Sequence, residues 1–272
     1  MKTSPDEVIT KLSPEQRKQF LKRCEDLPIT KQIKPILINS LDEFHKCLRE
    51  QREAGVYDTN RTVYRGVKNV RKHKLIPKIG RPIRWKGNKR ATQEKEMLRM
   101  FQERAPFYST STSFIGNKWE SLFFAQHYGL PTRLLDWTRN PLVALYFAVA
   151  TKYMGDSAVY VLKDNKKSFE WRECNCSPLD CKNFGDSDFA KVIPPSFSER
   201  IVAQSGLFTI HAKPETALDA SHVDCIIIPK ELRRSFKIML YQYGVHEASI
   251  KPGFDSLCSH LFWLRTDDHA PH

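Results

Sequence analysis

No apolar run in the 272-residue sequence is long enough to cross a bilayer. The most apolar stretch, beginning at Pro141, falls short of the ~20 residues that a span requires. The opening residues, MKTSPDEVITKLSPEQRKQF, lack the apolar core of a secretion signal, which makes a cytoplasmic location the expectation. There is no internal repeat and no low-complexity segment. A glycine-rich phosphate loop, a Gly-x-Ser-x-Gly elbow and a His-Glu-x-x-His pair are all missing, which argues against kinases, elbow-type hydrolases and zincins. Cysteine is sparse as well. The 7 thiols (24, 47, 174, 176, 181, 225, 258) are odd in number and scattered, a pattern suited to reduced cysteines and not to a disulfide frame. Cys174-x-Cys176-x4-Cys181 is not ordinary zinc spacing and would need a fourth ligand such as His211 or His222, so no metal is expected.

Acidic residues are missing where it matters most. Between Arg61 and Arg90 there are 12 Lys or Arg and no Asp or Glu, nearly the whole net charge of +13. Spread evenly, such an excess would serve solubility alone. Concentrated, it makes a surface for polyanions, with nucleic acid the first candidate, a nucleotide cofactor the second and an acidic partner protein the third. Lys68, Arg71, Lys72, Lys74, Arg84, Lys86, Lys89 and Arg90 are the expected nucleic-acid contacts. Otherwise the composition is that of a globular protein, 40% hydrophobic and 28% charged. A chain of this length buries one large core or two modest ones.

Hydrophobic spacing and cap residues give a coarse map. Ser13-Pro14-Glu15-Gln16 resembles a capping box that opens a helix to about Asp26, part of an N-terminal arm (1–35) that either packs on the domain or serves as a handle for a partner. Ile36–Ile38 is a short strand, and Ser40 starts a helix to about Ala54. Arg61–Gly66 reads as a strand, with Gly66 marking its end or a close backbone approach. Residues 67–90 form a basic loop anchored by Leu75–Ile79, Thr92–Arg104 is an amphipathic helix, and the YSTSTS run from Tyr108 is a polar connection. Downstream come a strand at Ala158–Leu162, an irregular insertion at 165–195, strand pairs or one bulged strand at Ile201–Val202 and Leu207–Ile210, and a strand at Asp224–Ile228. A helix from Pro229 closed by Gly244, an extended Val245–Pro252 and a last helix at Phe254–Trp263 complete the chain. Strands and helices mix without regular alternation, so the class is α+β.

The chain is organised around Trp119–Ala150. A helix from Trp119 to Tyr128 ends at Gly129, a short apolar stretch carries Arg133 and Asp136, and Asn140-Pro141 opens a helix apolar on almost every side. Such a helix belongs inside a domain. Gln126, His127, Arg133, Asp136 and Thr138 beside it are either a fully paired network, with Arg133–Asp136 buttressing a turn, or a site. An Arg at position 65, held by a strand, can clamp phosphate bidentately; its bland counterpart is a surface Arg on a basic face. His127 could be a general base or a satisfied core residue.

The string AQHYGLPTRLLDWTRNPLVALYFAV, with Tyr64-Arg65-Gly66 ahead of it and Arg200–Phe208 after it, resembles the FRG domain, named for a Phe-Arg-Gly motif. The resemblance covers roughly residues 38 to 264 and implies an FRG domain at 36–272. It is similar, more distantly, to the ADP-ribosyltransferase fold, whose first strand ends in Arg and whose later strands carry Ser-Thr-Ser and Glu. That likeness implies a mixed sheet core and an NAD-dependent enzyme that transfers ADP-ribose, plausibly to RNA or DNA, as a bacterial toxin or anti-phage defence effector with an antitoxin or inhibitor protein as partner. It implies catalytic Arg65, Thr138 (preferred to the Ser109-Thr110-Ser111-Thr112-Ser113 run for the Ser-Thr-Ser position) and Gln204, with Glu199 or Asp136 as the acid, and cofactor contacts from Tyr64, Arg65, Gly66, His127, Arg133, Trp137 and Thr138. The alternatives are a non-catalytic nucleic-acid-binding module and a metal-independent ribonuclease.

Overall fold

A computed structural model describes residues 9–28, 32–53, 55, 62–85, 90–108, 116–163, 166–180, 184 and 188–266. Among these residues seven strands form one mixed sheet: β1 (Ile36–Leu37), β2 (Val63–Val67), β3 (Leu134–Thr138), β4 (Ser157–Leu162), β5 (Phe189–Val192), β6 (Gly206–His211) and β7 (Val223–Ile228). Their order is β1-β7-β4-β2-β3-β6-β5. Every neighbouring pair is antiparallel except β1 with β7. The fold is α+β.

The sheet has a seam. β2 shares five register pairs with β4, and β3 shares five with β6, but β2 and β3 share only Tyr64↔Thr138. The two halves are thus joined at one point and spread apart from it.

Helices cover the sheet unequally. The larger core runs under both halves, joining β2, β4 and β7 to Leu135 and Trp137 of β3, Leu207 of β6 and Phe189 of β5, and it takes in α1 (Pro14–Glu25), α2 (Leu41–Glu53), α5 (Pro141–Val149) and α7 (Arg233–Gln242). The smaller one sets α3 (Arg90–Arg104) and α4 (Lys118–His127) against Leu134, Phe208 and Ile210, with Trp171 sealing its end. α1 belongs to the domain's core. Phe20, Cys24 and Leu27 are buried in it, and Arg23 donates to Asp156 through two nitrogens at 2.9 and 3.0 Å. Its capping box forms as read, with Ser13 and Gln16 exchanging bonds.

α5 lies directly on β2. A Cβ at Gly66 would sit 1.7 Å from the Ala144 carbonyl oxygen and 2.7 Å from the Ala148 nitrogen. Gly66 is therefore a helix-packing position in the middle of a strand, not the strand's end. Since side chains alternate along a strand, Arg65 projects to the face opposite α5. α5 stops at Val149, short of the helix to about Tyr153 that apolarity suggests. Buried Arg233 explains this, because it donates to the Ala148 and Thr151 carbonyls at 2.7 and 2.6 Å and captures the helix's last acceptors.

Three other segments depart from their sequence reading. Glu199–Ala203, with the β-branched pair Ile201-Val202, is a helix (α6) because Ser198 caps it by accepting from the Arg200 amide. Glu247–Ile250, read as extended, is a one-turn helix (α8) started at His246, and Phe254–Arg265 is the last helix (α9). The insertion at 165–195 contributes the edge strand β5 and the buried Trp171, and a disulfide joins Cys174 to Cys176. The remaining described cysteines are free. The YSTSTS run beyond Tyr108, together with Lys86, Lys89 and Cys181, lies outside the described residues.

Candidate active site

Where β2 and β3 part, a cleft of about 760 Å³ opens. Arg65 spans its floor. One guanidinium nitrogen, Nη1, donates to the main-chain carbonyl of Asp136 and lies 3.5 Å from the Asp136 carboxylate. A side chain thus bridges the strands where main-chain pairing has lapsed. Burial pushes the Arg65 guanidinium below its ordinary value, and the nearby Asp136 charge opposes that shift.

Asp136 is gripped from both sides. Gln126, in the last turn of α4, donates Nε2 to its Oδ1 at 3.1 Å, and Thr132 donates to Gln126 Oε1 at 2.7 Å. The carboxylate's position is fixed, yet its side chain remains 60% exposed to the cleft. Among the described lining residues it is the one carboxylate. Facing it are Arg65, Lys68, Lys78, Arg81 and Arg200. The loop after β2 is rich in cations, and it folds back over the seam because Leu75 and Ile79 are buried at its base. Lys78 in turn donates to the Gly129 carbonyl at 2.7 Å, fixing the α4 exit against that loop.

Two imidazoles line the same cleft. His73 approaches the Asn69 carbonyl through Nδ1 at 3.0 Å, and His127 meets the Ser198 hydroxyl at 3.1 Å, tying α4 to α6. Both have lowered pKa values, through burial first and then through neighbouring cations (chiefly Arg81 for His73, Arg200 for His127). Both are therefore neutral near pH 7, where an imidazole can accept a proton. Tyr64, Tyr128, Trp137 and Phe147 supply aromatic surface to the walls.

The residues singled out from the sequence divide cleanly. Tyr64, Arg65, Gly66, His127, Asp136, Trp137, Thr138 and Gln204 all line the cleft. Three of them have their polar groups committed inside the fold, Trp137 through Nε1, which donates to Thr209 Oγ1 at 3.0 Å. Thr138 Oγ1 donates to the Gln204 carbonyl at 2.6 Å and accepts from the Asn140 amide, and Gln204 Nε2 donates to the Ile250 carbonyl at 2.9 Å. Thr138 and Gln204 thereby hold the turn between α6 and β6 against the end of β3. That turn includes Ser205 at φ +46, a left-handed conformation unusual without glycine.

Arg133 does not reach the cleft, nor does it pair with Asp136. It is buried against Glu94 of α3, donating through Nε and Nη2 at 3.1 and 2.8 Å, and its own amide donates to the same carboxylate. Glu199 is exposed in the first turn of α6 and is not a lining residue, so it cannot serve as the cleft's acid.

The basic segment is split the same way. Lys68 lines the cleft. Arg71 instead donates to the Arg23 and Asp26 carbonyls at the end of α1, and Arg90 lies 3.8 Å from Glu215. Lys72, Lys74 and Arg84 are exposed away from the cleft. Sequence reasoning missed His73, Lys78 and Arg81. The signal was present in the count of cations, but which of them turn inward depends on the Leu75–Ile79 anchor.

No group of acidic, histidine or cysteine side chains among the described residues has a metal-binding arrangement, and no described helix is long and apolar enough to cross a membrane. No curated protein and no solved structure matches the chain. A family model does match, over residues 60–157, a narrower stretch than the 38–264 of the sequence resemblance. It encloses β2, the basic loop, α3, α4, β3 and α5, the elements that build most of the cleft. Over that stretch the chain carries an FRG domain.

Proposed function

We propose that the cleft binds the diphosphate of NAD and that the protein transfers ADP-ribose to a nucleic acid. The observation that carries this reading is the set of five cations around one fixed, solvent-facing carboxylate at the seam. The residues suit such a ligand. The volume falls within the usual range for small-molecule sites, the guanidinium and ammonium groups match phosphate oxygens, and the aromatic walls offer surface for rings. NAD supplies the ribosyl–nicotinamide bond whose cleavage drives transfer. Arg65, Lys68 and Arg81 grip phosphate. Asp136 accepts from a ribose hydroxyl and stabilises positive charge that develops beside it, with Gln126 and Arg65 holding it in place. Thr138 and Gln204 position the wall and do not contact the ribose. The toxin or anti-phage setting, with an antitoxin or inhibitor as partner, rests on the distant likeness to ADP-ribosyltransferases alone.

A second reading draws on a separate observation. His127, neutral near pH 7, can take the 2′-hydroxyl proton of RNA as that oxygen attacks phosphorus, while the cleft cations stabilise the charge on the phosphate and water protonates the departing 5′-oxygen, which is metal-independent RNA cleavage. One experiment separates the readings: incubation with isotopically labelled NAD and mixed RNA, DNA and protein, followed by mass spectrometry. The transferase releases nicotinamide, labels nucleic acid, and loses at least ~100-fold of that activity on Asp136→Asn. Shortened RNA with intact NAD establishes the nuclease instead. Salt-dependent binding with neither change leaves only a nucleic-acid-binding module.

A further inference from the structure

Beyond Tyr128 the cationic cleft gives way to a cavity of opposite character. α3, the Ala105–Tyr108 turn and α4 enclose about 610 Å³ lined by Met97, Met100, Phe101, Tyr108 and Phe124. Tyr128 and Leu130 line both spaces, so the two are contiguous. Tyr128 is 72% exposed and Tyr108 82% exposed, a strong departure for rings of that size. Behind them the wall is firm, because Phe124 stacks on Phe197 with ring centres 4.1 Å apart. The two thioethers are polarizable and adapt to flat faces. Among the described lining residues the one charged side chain is that of Arg104.

This combination selects among ligands. An acyl chain or an apolar peptide would fill the cavity but leave the five neighbouring cations facing it without counter-charges. A flat heterocycle attached to a phosphate satisfies both spaces at once, with ring stacking in one and ionic contacts in the other. A base held in a duplex cannot reach into a pocket of this kind, so the strand must present it unstacked. We infer that the pocket between α3 and α4 receives a nucleobase of single-stranded nucleic acid, with the adjoining phosphates lying across Tyr128 toward Lys78 and Arg200, the cleft cations not assigned to NAD. This names the acceptor class for the proposed transferase and takes its chemistry from that reading, but the binding can be tested apart from it.

The test is fluorescence anisotropy at fixed salt with three labelled probes of one length: a single-stranded RNA, the same strand made abasic through its middle, and the duplex. The intact strand is expected to bind about tenfold more tightly than the abasic strand or the duplex, and Met100→Ala or the surface variant Tyr108→Ala is expected to weaken it by a similar factor. Circular dichroism melting checks that both variants remain folded. Equal affinity for intact and abasic strands, or for single strand and duplex, overturns the base pocket. NAD titrated into the wild-type protein without any strand reads the other proposal separately. If NAD binds while the abasic strand matches the intact one, the pocket assignment falls and the transferase survives. If the strands discriminate but NAD does not bind, the reverse holds.

Discussion

At the scale of single residues, charge pairs divide the protein into framework and site. Arg133 and Glu94 are both buried and satisfy one another through three nitrogens, so this pair is framework. Arg65 and Asp136 are held at 3.5 Å with the carboxylate open to solvent, so this pair can exchange partners with a ligand. The contrast has a measurable consequence. Glu94→Gln leaves a buried guanidinium without its counter-charge and is expected to destabilise the fold by ~3–5 kcal/mol, read by urea denaturation. Asp136→Asn, at the exposed position, should stay within ~1 kcal/mol of wild type. The residue scale also shows where sequence reasoning stops. Arg133 was legible as a buried cation needing a partner, but its partner lies 39 positions upstream inside an ordinary amphipathic helix. Nothing local distinguishes Glu94 from the other acids of α3. Glu199 was misplaced for a related reason: Ile201-Val202 favours a strand, and the Ser198 cap outweighed that preference.

At the scale of elements, the contact of α5 with β2 sets the geometry. Asn140-Pro141 and the apolar run after it announced a buried helix, and Gly66 announced either a strand end or a close approach; together they describe one interface, in which the helix backbone rests on a strand without a Cβ. The packing turns Arg65 to the opposite face and so aims it across the seam. Because the clashing atoms at 1.7 and 2.7 Å are backbone, they cannot yield as a flexible side chain would. Gly66→Ala is therefore expected to cost ~3 kcal/mol or more, lowering the melting temperature sharply. A melting point within a degree of wild type would show that α5 does not sit on β2 as described. The cleft's walls were less legible than its floor. Tyr64-Arg65-Gly66 and Asp136-Trp137-Thr138 lie in regular strands that local pattern can read. Lys78 and Arg81 enter the cleft only because Leu75 and Ile79 bury the base of an irregular loop, and His73 only because Asn69 sets the turn before it.

At the scale of the whole molecule, a net charge of +13 attracts any polyanion, so binding alone says little about the site. The dependence on salt says more. If, with no NAD bound, the five cleft cations account for the phosphate contacts of a single strand, the logarithm of affinity should fall against the logarithm of salt with a slope of about −3 to −4. Arg81→Ala should reduce that slope by close to one contact, whereas Lys72→Ala, outside the cleft, should leave it unchanged. A slope that responds equally to both would mean that the anion lies on the general basic surface. The seam explains why the cleft sits where it does: two sheet halves that share one core face meet at one register pair, and beyond it Arg65 bridges the strands where ladder bonds lapse and the cleft opens.

The central claim is that the cations at this seam hold the diphosphate of NAD. Isothermal titration of NAD and of nicotinamide riboside, which lacks the diphosphate and the adenosine beyond it, into wild-type protein and Arg65→Ala tests it most directly, the Arg65→Ala arm isolating the phosphate contribution. NAD should bind the wild type at least ~100-fold more tightly than the riboside, in line with two or more charge-assisted contacts of ~1.5–3 kcal/mol each, and Arg65→Ala should remove most of that difference. Equal affinities for the two ligands, or NAD binding that Arg65→Ala leaves untouched, would contradict it.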